Sequence, residues 1–175
     1  MPNNATTEEE GNQFLPDAPK GYSKRNTVGA FAWLTQFVES LRSNNGVSVP
    51  CGECNACCRA GYAVRTSDGG LLLPQPDGSC SELQCGKCSI YSDRPQTCRY
   101  YDCRTHLFSG VDPENPAISE ALKGWRVPTI TPEDAAVVAI IRTIATAISD
   151  GGGQSEYVAV QACILAYDYV HKPSI

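Results

Sequence analysis

Two stretches carry most of the information in this chain: CGECNACC, running from Cys51 to Cys58, and CSELQCGKCSIYSDRPQTCRYYDC, running from Cys80 to Cys103. Nine of the ten cysteines lie inside them, so the 51–103 segment is roughly one-sixth cysteine, above the level of about 8–10% that marks a cysteine-built scaffold. The same segment has little hydrophobic periodicity and many turn residues, among them Pro74, Pro76, Gly78 and Gly86. Such a stretch buries little apolar surface and needs cross-links to keep one shape. Metal ligation supplies them, because a site that exists only in the folded chain adds its binding energy to folding. The expected fold is therefore a small α+β domain with an irregular, metal-held cysteine core.

Outward from that core, the flanks read as helices. Phe31, Leu34, Val38 and Leu41 recur at helical spacing, with Trp33 and Phe37 on an adjoining stripe. Asn26 or Thr27 is the expected cap, Gly46 the expected stop, and 47–50 an extended lead into Cys51. Ala63–Arg65 and Leu71–Leu73 flank Asp68-Gly69-Gly70, a hairpin signal. A loop at Pro113–Pro116 and a short helix over Ile118–Lys123 follow. Thr131-Pro132-Glu133-Asp134 is a helix start, with a cap, a proline at the first position and acids in the first turn. Val138, Ile141, Ala145 and Ile148 continue it on one face. Gly151-Gly152-Gly153 then acts as a helix-connecting turn, since no Gly-Lys-Ser/Thr follows that would make it a phosphate loop. Val160, Ile164, Tyr167 and Val170 predict a second helix packing back antiparallel. Residues 1–20 read as a disordered polar tail, and 21–175 as a single domain with a cysteine region (51–104) and a helical C-terminal part (116–172).

The composition excludes several classes. A formal charge of −5 and a pI near 5.0 argue against a nucleic-acid binder. No apolar run of about 18 residues suggests a membrane span. The segment MPNNATTEEEGNQ has neither the basic nor the apolar region of a secretory signal. A cytoplasmic location is the expectation, and there dense cysteines point to metal rather than disulfides.

Two successive CxxC steps in CGECNACC let one tight loop aim several thiolates at a point, and the vicinal pair Cys57-Cys58 suggests different sites or roles for its members. Cys80, Cys85 and Cys88 match the three-cysteine run of plant-type ferredoxins, but the fourth cysteine comes much sooner. The candidate metal ligands are Cys51, Cys54, Cys57, Cys58, Cys80, Cys85, Cys88, Cys98 and Cys103. Excess thiolate charge calls for cations nearby, and Lys87, Arg94 and Arg99 are placed to supply them; Tyr91, Tyr100 and Tyr101 can wall off solvent. The crowded loop is more like a cluster-wrapping loop than a two-plus-two zinc ribbon. An iron–sulfur cluster is thus the first expectation, and zinc the alternative.

The pattern CxxCxxCC, then a lone Cys80, then CSIYSDRPQTCR, resembles the CxxCxxCC cysteine-cluster family, the YkgJ type, described as zinc- or iron-chelating. By residue type the likeness covers Cys51, Cys54, Cys57, Cys58, Cys80, Cys88 and Cys98, framed by Ile90, Tyr91, Arg94, Pro95 and Arg99. Cys85 and Cys103 are additions to it. The resemblance implies a metal or iron–sulfur site more firmly than any reaction, and its larger members include enzymes that methylate flagellin lysines. Three functions follow as expectations: a redox or electron-transfer protein serving a protein partner, a zinc-stabilised interaction module, and a metal-dependent protein-modifying enzyme. Elsewhere, His106 has the spacing of a Cys/His pair with Cys103 but reads as a loop residue. His171 is expected in a last helical turn, and Cys163 as a buried structural thiol.

Overall fold

The computed structural model describes residues 29–44, 46–47, 54–123, 125, 127 and 131–172. Cys51, the 1–20 tail and the cap candidates Asn26 and Thr27 lie outside them. Six helices are described: α1 (Ala30–Arg42), α2 (Gln96–Tyr100), α3 (Arg104–Ser109), α4 (Pro116–Leu122), α5 (Pro132–Ser149) and α6 (Ser155–Val170). Two short antiparallel hairpins lie between α1 and α2: β1 (Val64–Arg65) with β2 (Leu71–Leu72), and β3 (Leu83–Gln84) with β4 (Lys87–Cys88). The α+β class is as expected, and no described helix is long and apolar enough to cross a membrane.

The core is helical. From α1 it takes Ala30, Trp33, Leu34, Phe37 and Val38, the i, i+3, i+4, i+7, i+8 pattern of an amphipathic helix. Phe31, expected inside, is 40% exposed, and the inward face is centred on Trp33 and Phe37 instead. Trp33 stacks on Phe108 at 3.9 Å between ring centroids and on Phe37 at 5.2 Å. From α5 the core takes Val137, Val138, Ile141 and Ala145. The α6 stripe differs from expectation. Val158, Ala159, Ala162, Cys163 and Ala166 are buried, whereas Val160, Ile164, Tyr167 and Val170 pack at its edge. Small side chains at these positions allow α6 to sit close to its neighbours. Cys163 is fully buried, as its apolar neighbours implied.

Helix ends explain the junctions. Thr131 Oγ1 accepts from the Asp134 amide at 3.2 Å while Asp134 Oδ2 accepts from the Thr131 amide at 3.0 Å, the reciprocal capping box foreshadowed by the sequence. The same carboxylate serves a second helix, because its Oδ1 accepts from the Phe31 amide at 2.9 Å. Asp134 therefore caps α5 from within and α1 from 103 residues away in sequence. That is why α1 starts after Gly29, which has no side-chain cap of its own. A Cβ on Gly29 would lie 2.6 Å from Asp134 Oδ2, so the glycine is required by close approach; its φ of −54° suits any residue. At its other end α1 stops at Ser43, before Gly46, and Asn44 takes the left-handed conformation with φ 61°. Across Gly151–Gly153, with Gly152 at φ 82°, the chain turns from α5 into α6, and the two helices pack together.

His106, expected in a loop, lies on α3 and is 2% exposed. The α3 segment is too short for periodicity to reveal, and its helix ends on Gly110 in the left-handed region. His171 closes α6 as its C-cap, stacked on Tyr167 at 4.1 Å.

Asp134→Ala should cost about 1–3 kcal/mol, lowering Tm by roughly 2–10 °C. Gly29→Ala should destabilise comparably in the native chain, yet add little to Asp134→Ala, because the clash disappears with the carboxylate. Thermal denaturation of the two single variants and the double variant decides this. Strict additivity would count against the shared cap.

Candidate metal centre

The cysteine segment folds as a sequence of tight turns pinned to one another by backbone hydrogen bonds. A 3-10 turn over Ala56–Arg59 carries the vicinal pair Cys57-Cys58. The Cys80 amide donates to the Cys58 carbonyl at 2.7 Å, which brings the second cysteine group against the first. Asp77 accepts from both the amide and the hydroxyl of Ser79, at 2.9 and 2.6 Å, fixing the turn that delivers Cys80. Cys85 and Gly86 form the β3–β4 turn, both at positive φ (49° and 77°), as a two-residue hairpin of this hand requires. The flanking residues show no hydrophobic alternation, so Gly86 is the one local signal of this hairpin. Pro95 precedes α2, which carries Cys98, and the Arg99 amide donates to the Pro95 carbonyl at 3.0 Å.

Cys54, Cys57, Cys58, Cys80, Cys88 and Cys98 all line one open cavity of about 630 Å³. Their charges are mutually felt. Burial pushes the Cys98 thiol up to about 11, and thiolates at Cys57, Cys80 and Cys88 push in the same direction. Cys57 and Cys58 share a hydrogen bond that splits them. Cys58 supports the thiolate form of Cys57, drawing it down to about 7, and its own thiol is raised by that bond, by burial and by Cys57, Cys88 and Cys80. Arg94 favours the charged form of both Cys57 and Cys98.

The remaining predicted site residues divide into two groups. Lys87, Tyr91 and Arg94 line the same cavity. The Arg94 guanidinium lies 3.9 Å from the Tyr91 ring centroid, and its buried Nε has no hydrogen-bond partner among the described residues. Arg99 has another use: its Nε donates to the Arg94 carbonyl at 2.9 Å and its Nη2 to the Ser92 carbonyl at 3.2 Å, so it braces the 92–95 turn. Cys85 is exposed at its hairpin tip, and Cys103 sits at the N-cap of α3; neither lines the cavity.

Two lining residues, Tyr62 and Glu156, carried no signal in the sequence. Tyr62 donates to Glu156 Oε1 at 3.1 Å across 94 residues, joining the cysteine segment to the first turn of α6. Tyr101 also lines the cavity, and its buried hydroxyl has no partner among the described residues. Burial raises its phenol, with Cys103, Cys57 and Glu156 adding to the shift.

In donor type and convergence the six thiols suit a thiophilic ion or cluster, with Arg94 offsetting negative charge. Among the described residues, no three Cys, His, Asp or Glu side chains are already set as a ligand group. No known protein family, curated protein or solved structure matches the chain.

Thiol reactivity tests the geometry. In metal-free, reduced protein, Cys57 should be alkylated first by iodoacetamide at neutral pH, with a rate that climbs through a midpoint near pH 7, because its thiolate is stabilised. Cys98 should lag until far higher pH. Peptide mass spectrometry over a time course reads the order, and early labelling of Cys98 or Cys163 would refute it.

Proposed function

We propose that this chain is a metal-binding protein whose clustered cysteines hold an iron–sulfur cluster, and that it serves a protein partner in electron transfer or accessory redox chemistry in the cytoplasm. The observation that carries this reading is the gathering of six cysteines, from two turn segments, a hairpin strand and a short helix, around one cavity. Convergence from such distant positions costs chain entropy, and the segment has almost no apolar core to offset it. Ligation to a common centre supplies the missing energy. In this reading the cysteine segment is a metal-held core, flanked by α1 and by an antiparallel α5–α6 pair. The likeness to the CxxCxxCC type supports the same conclusion.

The roles follow from position. Cys54, Cys57, Cys58, Cys80, Cys88 and Cys98, with Cys51 from the same CxxCxxCC motif, are the pool from which ligands are drawn. Arg94 and Lys87 counter the charge of the bound thiolates, and Tyr91 holds the Arg94 guanidinium in place by stacking. A cluster bound there would supply one-electron chemistry, with a potential set by its solvent exposure and nearby charges. Cys85 and Cys103 stand apart, and Arg99 is a scaffold residue.

Protein purified without oxygen should be brown, contain iron and acid-labile sulfide in comparable amounts, and lose its absorbance near roughly 400 nm on reduction with dithionite. Cys98→Ser should lower the iron content severalfold, whereas Cys85→Ser should leave it unchanged. Zinc without sulfide would overturn the iron–sulfur assignment and favour a zinc-stabilised interaction module.

A further inference from the structure

The cavity extends well beyond its thiols. At about 630 Å³ it falls within the range of small-molecule pockets, roughly 300–1,000 Å³, and its lining includes the apolar Val64, Leu72 and Ile118 besides the thiols. Tyr62, Tyr101 and Glu156 line it as well. They come from three segments far apart in sequence and are close enough to perturb one another's ionisation.

The charges acting on the two tyrosines are negative. Tyr62 is raised by burial first, then by Glu156 and Glu114, and the charges acting on buried His106 are Glu156 and Asp112. Burial works against the charge of Glu156, but its own backbone amide, the Ser155 hydroxyl and the Tyr62 hydroxyl together hold its carboxyl below the usual range. Ser155 donates to Oε2 at 2.9 Å and Tyr62 to Oε1 at 3.1 Å, so the carboxylate is fixed in orientation as well as charged. The cations that line the cavity are Arg94, which acts on Cys57 and Cys98, and Lys87, which neighbours Cys88 in the chain. His106 donates Nδ1–H to the Val111 carbonyl at 3.0 Å, leaving Nε2 buried without a partner among the described residues; burial disfavours its charged form, and it is the last and smallest of the influences that hold Glu156 ionised.

A fixed carboxylate beside two tyrosine rings in a partly apolar cavity is the environment that stabilises an organic cation, through charge and through the negative faces of the rings. We infer that Tyr62, Tyr101 and Glu156 in this cavity form a binding site for the cationic head of a small organic ammonium compound. The site stands on the shape and charge of the cavity, whether or not the thiols hold metal.

The test is isothermal titration of the full chain with choline chloride and, separately, with its neutral carbon isostere 3,3-dimethylbutan-1-ol, before and after anaerobic loading with iron. Choline should bind saturably with Kd on the order of 1 mM or tighter, and the alcohol at least about tenfold more weakly. Glu156→Gln should weaken choline binding about tenfold and bring the two probes together, while Glu82→Gln, at the other carboxylate lining the cavity, should change neither. Equal binding of choline and alcohol, or no saturation by roughly 50 mM, would overturn the proposal. If Glu156→Gln fails to fold by circular dichroism, the comparison of the two probes on the unaltered chain decides it alone. A chain that takes up no iron defeats the cluster reading and leaves this comparison intact.

Discussion

A single buried carboxylate joins the two halves of this protein. Asp102 is fully buried, between Cys98 and Cys103 in sequence, and it meets the helical core directly. Trp33 Nε1 of α1 donates to its Oδ2 at 3.2 Å, the Arg104 amide to its Oδ1 at 2.9 Å, and the Arg104 guanidinium to both oxygens at 2.8–3.1 Å. A buried charge without such partners is costly, and breaking a buried pair by removing one partner typically costs about 3–5 kcal/mol. The geometry is therefore fixed wherever the carboxylate goes. Trp33 is in turn held by Phe108 and Phe37, so the position of the cysteine segment is referred to the aromatic core. Weaker ties add to it: the Val47 amide to the Arg99 carbonyl at 2.6 Å, Asn115 Nδ2 to the Ala60 carbonyl at 2.8 Å, and the Tyr62–Glu156 bond.

These ties are polar for a physical reason. The described cysteine segment contributes Ala60 to the buried apolar set but leaves Leu71, Leu73 and Tyr91 largely exposed. With so little apolar burial, hydrogen bonds must decide which of many compact arrangements of turns is adopted. Hydrogen bonds direct well but stabilise modestly, about 0.5–1.5 kcal/mol each net. The segment is thus oriented by the core without being strongly held by it, a state of affairs in which ligation can rearrange the thiols without breaking the helical part.

What could be read from the sequence follows the range of the interactions. The Thr131–Asp134 capping box, the Gly151–Gly153 turn, the first hairpin and the buried Cys163 depend on near neighbours, and each is where the pattern put it. The second use of Asp134, as the cap of α1, depends on a contact 103 residues away that no local pattern announces. The inward face of α1 departs from its periodicity for a related reason: Trp33 and Phe37 are central because Phe108 on α3 meets them, and α3 itself is too short to show a period. At the site, residue type was enough to nominate the thiols and Arg94, since dense cysteine demands cations nearby. It was not enough to separate Arg99, which spends its donors on carbonyls, or to find Tyr62 and Glu156, which reach the cavity only through the fold.

The thiols themselves show what ligation must overcome. Cys57 is stabilised as a thiolate by the hydrogen bond from Cys58, and the same bond holds the proton on Cys58. The vicinal pair therefore presents one good ligand, not two. Drawing Cys58 or Cys98 into a metal's coordination means removing a proton from a thiol whose pKa is raised, and a bound cation must supply that free energy. If these thiols ligate a metal, its affinity should rise with pH for as long as they remain protonated, which for Cys98 extends to about 11. Arg94 lessens the cost at both Cys57 and Cys98. A metal entering the cavity would thus meet Cys57 as the thiol most ready to ligate, and Arg94 would favour the charged form there and at Cys98.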